Sequence, residues 1–402
     1  MKILVINAGS SSLKYQLFEM EGTVVLCSGI VERIGLESGI ITHKTFDAEG
    51  NATKVKKELP IPNHNVGLTE VVALLTDADN GVIQNTDDIQ AVGHRVVHGG
   101  EFFNKPTVIT TEVKEKIREC FQLAPLHNPA NLQGIEDCTN IFTKATQVAV
   151  FDTAFHQTMP SKSYRYAVPA ELYEKNGVRV YGMHGTSHKY VSETAIDYLG
   201  LKGKDSKVIT IHLGNGCSMS AVRNGECIDT SMGFSPLDGL MMGTRSGDID
   251  PAVVFYLIDK LGMKSDEVYD LLNKKSGMLG ITGDSDMRDI EERFNAGDEA
   301  AILGLHMYTY RIKKYIGAYM AALNGADAIV FTAGVGENDH GVRLLAANDL
   351  EFLGISLDVA KNDKLRASEI EEIQAADSKI KVLVVPTNEE LEIALLTQKI
   401  VG

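Results

Sequence analysis

The feature that most constrains the fold is a strand–loop–strand segment that occurs twice in the chain. Residues 2–14 (KILVINAGSSSLK) and residues 207–218 (KVITIHLGNGCS) each contain a short apolar strand, a polar residue at its end and a loop of small residues. Each loop leads into an alternating stretch that closes on a hairpin signal, Glu21-Gly22 or Asn224-Gly225. The repetition in one register indicates two homologous halves, each built from a strand, a tight loop and a returning strand.

Loops of this kind bind anions, because several backbone N–H groups point into one concavity. Small side chains allow a phosphate to reach those N–H groups, and the hydroxyls of Ser10, Ser12 and Ser218 are additional donors. The alternative, two flexible Gly/Ser linkers, is disfavoured because linkers do not follow buried strands twice in the same register. The two loops therefore predict a phosphate chain that is held from both sides.

The composition is that of a globular protein with two domains, since 402 residues exceed what one hydrophobic core usually holds. The formal net charge of −15 argues against nucleic acid or an anionic membrane as a partner. No apolar run is long enough to span a bilayer, and no signal-peptide pattern precedes the first strand. The five cysteines are scattered, without a Cys-x-x-Cys, which is typical of a reducing compartment. We therefore expect a cytoplasmic protein.

Strands and helices alternate along the chain, which predicts an α/β protein. The predicted strands cover residues 3–6, 14–18, 92–97, 148–151, 208–212, 218–222, 328–332 and 382–385. The predicted helices cover residues 111–121, 131–142, 187–199, 251–261, 296–322 and 389–399. We interpret the polar, Lys-rich stretch 42–65 as a peripheral insertion, and we expect the long helix at 296–322 to be buried between layers. Asp250 before Pro251 predicts a capped helix start.

A third loop follows the buried strand predicted at residues 328–332, in the sequence AIVFTAGVGEN. Its Gly334-Val-Gly336 turn lacks the third glycine of a dinucleotide-binding fingerprint, because Asp339 stands at that position. A Walker A loop is also missing, since Gly203-Lys204 is followed by Asp205. A turn of this type still admits a flat nucleoside against the backbone, so the segment is a candidate nucleoside site.

An acidic chain that binds anions must concentrate its positive charge locally, and three glycine-flanked sites do so. They contain Arg95, His184 and Arg245. A single arginine would be interpreted as a surface ion pair, but arginine beside glycine is suited to bidentate capture of carboxylate or phosphate. His184 and His188 also have the spacing of a helical zinc pair. Zinc is disfavoured, because Gly185 stands where the glutamate of that motif is expected.

Taken together, these motifs resemble those of the acetate kinase family, a member of the acetate and sugar kinase/Hsc70/actin superfamily. The resemblance runs essentially from end to end. Further segments that carry it are residues 93–101 (GHRVVHGGE), 151–156 (FDTAFH), 245–248 (RSGD), 285–288 (SDMR), 334–338 (GVGEN) and 386–390 (PTNEE). Each loop alone would indicate only the superfamily, whereas the complete set is specific for the family.

The resemblance implies two duplicated actin-like (ribonuclease H-like) domains of βββαβαβα order around a nucleotide cleft. Residues 1–151 with 386–402 would form the N-terminal domain, to which the C-terminal helix returns. Residues 152–385 would form the C-terminal domain, which carries most of the nucleotide site. A homodimer is implied, as is reversible phosphoryl transfer from ATP to acetate that gives acetyl phosphate and ADP. The implied cofactor is Mg²⁺, with Mn²⁺ as a substitute.

The resemblance also implies the residues of the acyl and phosphoryl site. The implied catalytic residues are Asp152, His184, Arg245 and Arg95. The implied substrate pocket consists of Arg95, Val97, Leu126, Met183 and Pro236, and His127 matches an active-site histidine of secondary importance. Acetate needs no base, because it is already ionised at neutral pH. The arginines are suited to holding carboxylate and phosphoryl groups, and we expect Asp152 to position Mg²⁺ or water.

The nucleotide and metal sites follow from the same resemblance. The implied ATP-binding residues are Lys14, Ser10, Ser12, His212, Leu213, Gly214, Asn215, Gly216, Asp286, Met287, Arg288, Gly334, Val335, Gly336, Glu337 and Asn338. The implied metal ligands are Asn7 and Glu389, which stand at opposite ends of the chain. A shared metal would therefore require the C-terminal helix to pack beside the first strand.

Two alternatives remain open on the sequence. The first is a propionate kinase or another short-chain acyl kinase, because the family usually has Phe at the position of Met183. Methionine is adaptable and either admits an extra methylene or fills the same volume. The second is an actin- or Hsp70-like ATPase, which would need the phosphate loops but not Arg95, His184 and Arg245 facing the γ-phosphate. The presence of all three cations disfavours this second alternative.

Overall fold

A computed structural model describes residues 1–364 and 369–402 of the chain. The strands are β1 (Lys2–Ala8), β2 (Ser12–Glu19), β3 (Val24–Glu32), β4 (Gly39–Phe46), β5 (Ala52–Leu59), β6 (Ala91–Val96), β7 (Thr107–Val108), β8 (Thr146–Phe151), β9 (Lys207–Leu213), β10 (Cys217–Arg223), β11 (Glu226–Thr230), β12 (Ala328–Thr332), β13 (Glu371–Glu372) and β14 (Lys381–Val384). The helices are α1 (His64–Leu75), α2 (Thr111–Glu119), α3 (Asn128–Ile141), α4 (Ser161–Tyr164), α5 (Ala170–Asn176), α6 (Gly185–Tyr198), α7 (Pro251–Asp259), α8 (Ser265–Lys274), α9 (Gly277–Thr282), α10 (Met287–Asn295), α11 (Glu299–Leu323), α12 (Ala333–Asn338), α13 (His340–Ala347), α14 (Val359–Asn362) and α15 (Glu389–Val401).

These elements form two compact units. The first comprises Met1–Phe155 together with Asn388–Gly402, and the second comprises His156–Thr387. Each unit contains one mixed sheet. In the first unit the strand order is β5-β4-β3-β2-β1-β6-β8-β7, and in the second it is β11-β10-β9-β12-β14-β13. The order β3-β2-β1-β6-β8 thus recurs as β11-β10-β9-β12-β14, and this shared order confirms the predicted duplication of an α/β domain.

The repeated segment has the predicted form in both units. Strands β1 and β2 pair antiparallel from Lys2–Glu19 to Ala8–Leu13, and β9 pairs with β10 in the same sense. The next hairpin turn of the second unit places both Asn224 (φ 56°) and Gly225 (φ 80°) in the left-handed region. Such a turn has the twist that two antiparallel strands require, and Asn-Gly is its preferred sequence. The hairpin signal read at these residues is confirmed.

Parallel pairing places the functional loops of each unit on one edge of its sheet. In the first unit β1, β6 and β8 run parallel, and in the second unit β9, β12 and β14 do so. The carboxyl ends of parallel strands lie along the same edge, where α/β proteins bind their ligands. The loops that follow these strands in each unit are therefore neighbours.

Helix α15 belongs to the first unit although it closes the chain. It packs against β1, β6 and β8, and its apolar side chains Ile393 and Ala394 join a core with Ile3 and Val5 of β1. In the second unit, α6 packs against β9 and β12. The sequence boundaries expected at 151/152 and 385/386 compare with divisions at 155/156 and 387/388 in the structure.

The stretch 42–65, interpreted as a peripheral insertion, lies at the edge of the first sheet. Most of it forms β4 and β5, which have no counterpart in the strand order of the second unit. Most residues of β5 are exposed, so its sequence lacks the apolar alternation that predicts a strand. Its lysines discourage pairing with another chain at this edge. Helix α11 is buried on one face only, because Leu303, Met307 and Tyr310 are exposed on the other.

The start of α7 is as predicted, with the Asp250 side chain accepting a hydrogen bond from the Ala252 N–H at 2.9 Å.

All five cysteines are free and buried. Within residues 1–364 and 369–402, no helix combines the length and the apolar character that crossing a bilayer requires.

Candidate active site

The first unit gathers several predicted residues at the carboxyl ends of three neighbouring strands. Asn7 lies near the end of β1, Arg95 near the end of β6, and Asp152 directly after β8. Lys14 lies opposite Asn7 in the register of β1 and β2. The strand order β2-β1-β6-β8 therefore brings together residues that are far apart in the sequence.

Arg95 is held by the carboxylate of Asp152. Its Nε and Nη2 donate to Asp152 Oδ2 at 3.0 and 2.6 Å, and its Nη1 donates to Asn7 Oδ1 at 3.4 Å. The Asp152 side chain is only 2% exposed, whereas that of Arg95 is 21% exposed. Burial lowers the pKa of Arg95, but the charges of Asp152 and Glu389 outweigh it, so the pKa is raised. The guanidinium is a fixed, permanently charged donor.

Glu389 is the first residue of α15, and its helix is capped by the Asn388 side chain. Burial raises the pKa of Glu389 to about 7, and the nearby carboxylate of Asp152 adds to the rise. The cations Arg95 and Lys14 act in the opposite direction. The C-terminal helix therefore places a half-buried carboxyl group beside Arg95.

These groups fit a hard divalent cation. The oxygens of Asn7, Asp152 and Glu389 are donors of the type that Mg²⁺ takes, and this ion keeps most of its waters and needs only one or two carboxylates. A cation would also favour the ionised form of the half-buried Glu389. In the described ranges, no group of three or more His, Cys, Asp or Glu side chains could enclose a metal ion.

The backbone of the first phosphate loop, residues 9–12, is held by hydrogen bonds. The Gly9 N–H donates to the Ser12 carbonyl at 2.8 Å, and the side chain of Ser10 is exposed. Asn131 of α3 donates to the Ala8 carbonyl at 2.7 Å and accepts from the Val97 N–H at 3.0 Å. Asn131 therefore ties the phosphate loop to the strand end that follows Arg95.

The second unit contains a cavity of about 640 Å³ at the carboxyl edge of its sheet. Eight of the predicted ATP-binding residues line it: Gly214, Asn215, Asp286, Met287, Arg288, Gly334, Val335 and Asn338. Residues that were not predicted to bind ATP complete the lining: Gly243, Ser285, Glu291, Tyr308 and Asp339. A cavity of this size accommodates a nucleoside.

Five predicted nucleotide residues of the second unit are not in this lining: His212, Leu213, Gly216, Gly336 and Glu337. Glu337 has a different use, since its Oε1 accepts from the N–H groups of Ala333 and Thr387, each at 2.9 Å. Oε1 of Glu337 thus stabilises the turn between β12 and α12.

That turn also corrects the expected Gly-x-Gly loop. Gly334 and Gly336 lie inside helix α12, and the left-handed residue that begins the helix is Ala333, at φ 64°. A non-glycine residue in this region is strained and is retained where the surroundings hold it. A Cβ on Gly334 would meet no atom within 4 Å, so the glycine leaves the cavity wall open.

His184 lies just before α6, which begins at Gly185 and not at the predicted residue 187. Its backbone is left-handed (φ 59°), and His156 Nε2 lies 3.0 Å from the preceding carbonyl, that of Met183. The ring of His184 stacks on that of His212, with centroids 4.3 Å apart. A strained backbone held by neighbouring side chains is a frequent property of functional residues.

Ser218 does not have the role expected from the sequence. Its side chain is completely buried, and its hydroxyl lies 2.8 Å from His184 Nδ1 and 2.7 Å from His188 Nε2. The hydroxyl is engaged by two histidines, so we correct its assignment as a phosphate donor. Strand β10 thereby positions the His184 ring through the Ser218 hydroxyl.

Arg245 and His184 converge on the second phosphate loop. Arg245 Nη1 donates to the Pro236 carbonyl at 3.2 Å. A Cβ added to Gly216 would lie 3.4 Å from Arg245 Nη1 and 3.5 Å from His184 Nε2. Arg245 and His184 therefore both reach van der Waals distance of the position that a Cβ on Gly216 would take.

The predicted acyl-pocket residues belong to both units. In the first unit, Val97 is buried, whereas Leu126 is 54% exposed and His127 is half-buried in the turn before α3. In the second unit, Met183 is 3% exposed and Pro236 is half-buried beside Arg245.

Comparison with known proteins identifies the family. Residues 2–395 match the model of the acetokinase family. The acetate kinase of Flavobacterium johnsoniae is 57% identical over 394 residues, which cover 98% of each chain. The chain belongs to the acetokinase family. The crystal structure of Porphyromonas gingivalis acetate kinase agrees with this, at a TM-score of 0.93 and 47% identity over 100% of both chains.

A second solved acetokinase-like structure carries a different name. The propionate kinase of Francisella tularensis superimposes with a TM-score of 0.91 at 44% identity, covering 99% of each chain. The predicted α/β fold with two duplicated domains is confirmed by these full-length likenesses.

Sequence reasoning missed several residues that shape the acetokinase site. Tyr308 lies within α11, where periodicity marks it as a core residue, and its hydroxyl is 3.1 Å from Cys217 Sγ. Asn131 was placed at the start of a predicted helix without a role. The role of Asn131 depends on its hydrogen bonds to two strand ends, and these ends are known to be neighbours only once the strand order is known.

Proposed function

We propose that this chain catalyses the reversible transfer of a phosphoryl group from ATP to acetate, which gives acetyl phosphate and ADP. The observation that carries the proposal is the match to the acetokinase family along almost the whole chain. The cavity of the second unit and the glycine-flanked cations support it, because they supply the binding chemistry that the reaction needs.

The nucleotide is proposed to bind in the cavity of the second unit. Gly334 and Val335 form an apolar, open part of the wall, which suits the flat adenosine. Arg288 and Asp286 pair through two hydrogen bonds of 3.0 and 2.6 Å at its rim. The backbone of Gly214 and Asn215 would face the phosphates, as the repeated loops indicate.

The reaction needs charge stabilisation and positioning. Acetate is already ionised, so no base has to activate it; two anions must be brought together, and the spread negative charge of the transferring group must be stabilised. We propose that Arg95 and Arg245 hold the carboxylate and the phosphoryl group and that His184 donates to a phosphoryl oxygen. Asp152 is proposed to position Arg95 and the metal site, since its Oδ2 already accepts two bonds from that arginine.

Asn7 and Glu389, with Asp152 beside them, are the residues that would hold Mg²⁺. Bound Mg²⁺ neutralises phosphate charge and orients the phosphate oxygens. A neighbouring cation would lower the raised pKa of Glu389 and so favour its ionised form. Lys14, opposite Asn7, would supply a point charge toward the phosphates.

The active form is proposed to be a homodimer in the cytoplasm. Helix α7 has no buried residue, although its sequence is PAVVFYLID, and Phe255 and Tyr256 are 64% and 57% exposed. The exposed apolar stripe on α11 is a second such surface. Apolar faces of this kind are typical of protein–protein contacts. The free, buried cysteines are consistent with a reducing compartment.

The proposed reaction is tested by trapping acyl phosphates with hydroxylamine in the presence of ATP, Mg²⁺ and single short carboxylates. Acetate should give the largest kcat/KM. ATP hydrolysis that does not depend on a carboxylate would instead favour the ATPase alternative. A larger kcat/KM with propionate would favour a propionate kinase, an alternative supported by Met183 and by the Francisella tularensis structure.

A further inference from the structure

A chain of buried hydrogen bonds leads from His184 to the interior of the second sheet. Ser218 Oγ lies 2.8 Å from His184 Nδ1 and 2.7 Å from His188 Nε2. The other ring nitrogen of His188, Nδ1, lies 2.7 Å from Thr210 Oγ1. The side chains of Ser218, His188 and Thr210 are completely buried. Ser218 and His188 therefore link His184 to Thr210 through side chains that are shielded from water.

His188 must be uncharged in this environment. Burial lowers its pKa well below the ordinary value, and the nearby rings of His156 and His212 add to the effect. Their centroids lie 5.8 and 6.0 Å from that of His188. A neutral imidazole has one N–H donor and one acceptor nitrogen. Of the two hydroxyls that contact His188, one therefore donates to it and the other accepts from it.

The distances decide which hydroxyl donates. Besides His188, Thr210 has one acceptor, the Ser220 carbonyl, at 3.4 Å, which is longer than an ordinary O–H···O bond. The 2.7 Å contact with His188 Nδ1 is in the normal range, so the Thr210 proton lies in that bond. His188 then carries its proton on Nε2 and donates to Ser218, and the Ser218 hydroxyl donates to His184 Nδ1.

We propose that Thr210, His188 and Ser218 are positioning residues that fix the tautomer of His184, so that an uncharged His184 presents an N–H at Nε2. This inference rests on the proposed function, in which His184 donates to the transferring phosphoryl group. Nε2 is the atom near Gly216, the glycine that Arg245 also approaches. An uncharged donor suits this place, because Arg245 lies nearby and His212 stacks on the ring.

The proposal predicts a specific pH dependence. In the wild type, the neutral His184 already carries its proton on Nε2, so donation from Nε2 does not require the imidazolium form. Ser218→Ala removes the donor to Nδ1, and the neutral ring then distributes its proton over both nitrogens. Protonation of the ring at low pH puts a proton on both nitrogens, so Nε2–H is restored. The defect of the variant should therefore be largest at high pH.

The kinetic experiment compares Ser218→Ala, Ser218→Thr and a control, Ser220→Ala, with the wild type between pH 5.5 and 9. Ser220 is buried on the same strand but contacts Thr230 Oγ1 and not a histidine. We expect Ser218→Ala to lose about tenfold in kcat at high pH, with KM for ATP unchanged and the loss shrinking as the pH falls. Ser218→Thr should restore the wild-type profile. A loss of equal size at every pH, or the same profile in Ser220→Ala, would overturn the proposal.

A second measurement does not depend on activity and so separates this proposal from the proposed function. Nitrogen-15 NMR of histidine-labelled protein distinguishes an Nδ1–H from an Nε2–H tautomer. At pH 8, both His184 and His188 should carry the proton on Nε2. Thr210→Val, which does not touch His184, should produce a population of His184 protonated on Nδ1. Finding Nδ1–H on His184 in the wild type, or no change in Thr210→Val, would contradict the proposed hydrogen-bond chain.

Discussion

Arg95 donates to a single oxygen of Asp152 from two of its nitrogens, Nε at 3.0 Å and Nη2 at 2.6 Å. The arrangement orients the plane of the guanidinium through a carboxylate that is itself 2% exposed. The third nitrogen of the guanidinium, Nη1, does not contact Asp152 and instead faces Asn7 Oδ1 at 3.4 Å. A lysine at this position would keep the charge but could not reproduce the planar fork.

We predict that Arg95→Lys and Arg95→Ala each lose about 2–4 kcal/mol of transition-state stabilisation, roughly 30- to 1,000-fold in kcat/KM. Arg118→Lys is the matched control, because Arg118 pairs with Glu136 at the surface, where such pairs contribute little. The measurement is kcat/KM for acetate at saturating ATP. Near-wild-type activity of Arg95→Lys would contradict the importance of the fork.

The metal prediction concerns Glu389. We expect Glu389→Gln to raise the Mg²⁺ concentration required for half-maximal activity by at least about tenfold, since the loss of even an outer-shell partner has effects of that size. Glu390→Gln is the control, because Glu390 is the next residue in the same helical turn. Thermal unfolding should show both variants folded. An unchanged Mg²⁺ requirement in folded Glu389→Gln would remove this residue from the metal site.

The sequence predicted best those features that local chemistry determines. The strands of the repeated segment, the Asn224-Gly225 turn and the Asp250 cap follow from hydrophobic patterning, from the left-handed preference of Asn and Gly and from capping. The β4–β5 hairpin escaped prediction because its outer strand is mostly exposed, so it lacks the alternation by which strands are recognised.

The site residues that escaped prediction depend on tertiary contacts. Glu337 follows glycines in a motif that points to nucleotide binding, yet its carboxylate accepts from the backbone of Ala333 and Thr387. Ser218 belongs to a loop of phosphate-binding type, but the antiparallel turn buries its hydroxyl between two histidines. No local pattern distinguishes a serine that faces a ligand from one that supports a ring.

A pH-dependent contribution to stability is expected from Asp238. Burial raises its pKa to about 6, and a hydrogen bond with Asp248 adds to the rise. Because the folded state binds the proton more tightly than the unfolded state, this group stabilises the fold at low pH, and the contribution is lost as the pH rises to about 6.

Asp238→Asn keeps a donor toward Asp248 at every pH. We therefore predict that it increases the free energy of unfolding by about 1 kcal/mol at pH 8, less than the full pKa shift would give because the side chain is partly exposed to solvent, and leaves it nearly unchanged at pH 4. Urea unfolding at the two pH values is the measurement. The exposed Asp259→Asn serves as control and should show no such difference. An equal effect of Asp238→Asn at both pH values would show that burial of its charge is unimportant.

The dimer prediction concerns the apolar face of α7. We expect Phe255→Glu to convert a dimer into a monomer, because it places a charge on a residue that is 64% exposed within an apolar helix. Phe352→Glu is the control, since Phe352 is 82% exposed but lies in a short 3-10 turn elsewhere in the unit. Light scattering after gel filtration reports the mass. A monomeric wild type would contradict the proposed homodimer.

The last prediction concerns the proposed acyl pocket, where the family resemblance implies that Met183 replaces a Phe. Its side chain is 3% exposed, and its carbonyl lies 3.0 Å from His156 Nε2, so the backbone of this residue is held while the side chain keeps its rotatable bonds. Methionine adapts to an extra methylene, whereas phenylalanine is a rigid wall. One methylene in a hydrophobic pocket is worth about 1–3 kcal/mol, or roughly 10- to 200-fold in kcat/KM.

We therefore expect the wild type to prefer acetate over propionate near the lower end of that range and Met183→Phe to move the preference upward. The measurement is kcat/KM for both carboxylates in each protein. Met159→Phe is the control, because Met159 is equally buried in the same unit but is not part of the predicted pocket. If Met183→Phe leaves the ratio unchanged, Met183 only fills volume, and selectivity must come from Val97, Leu126 or Pro236.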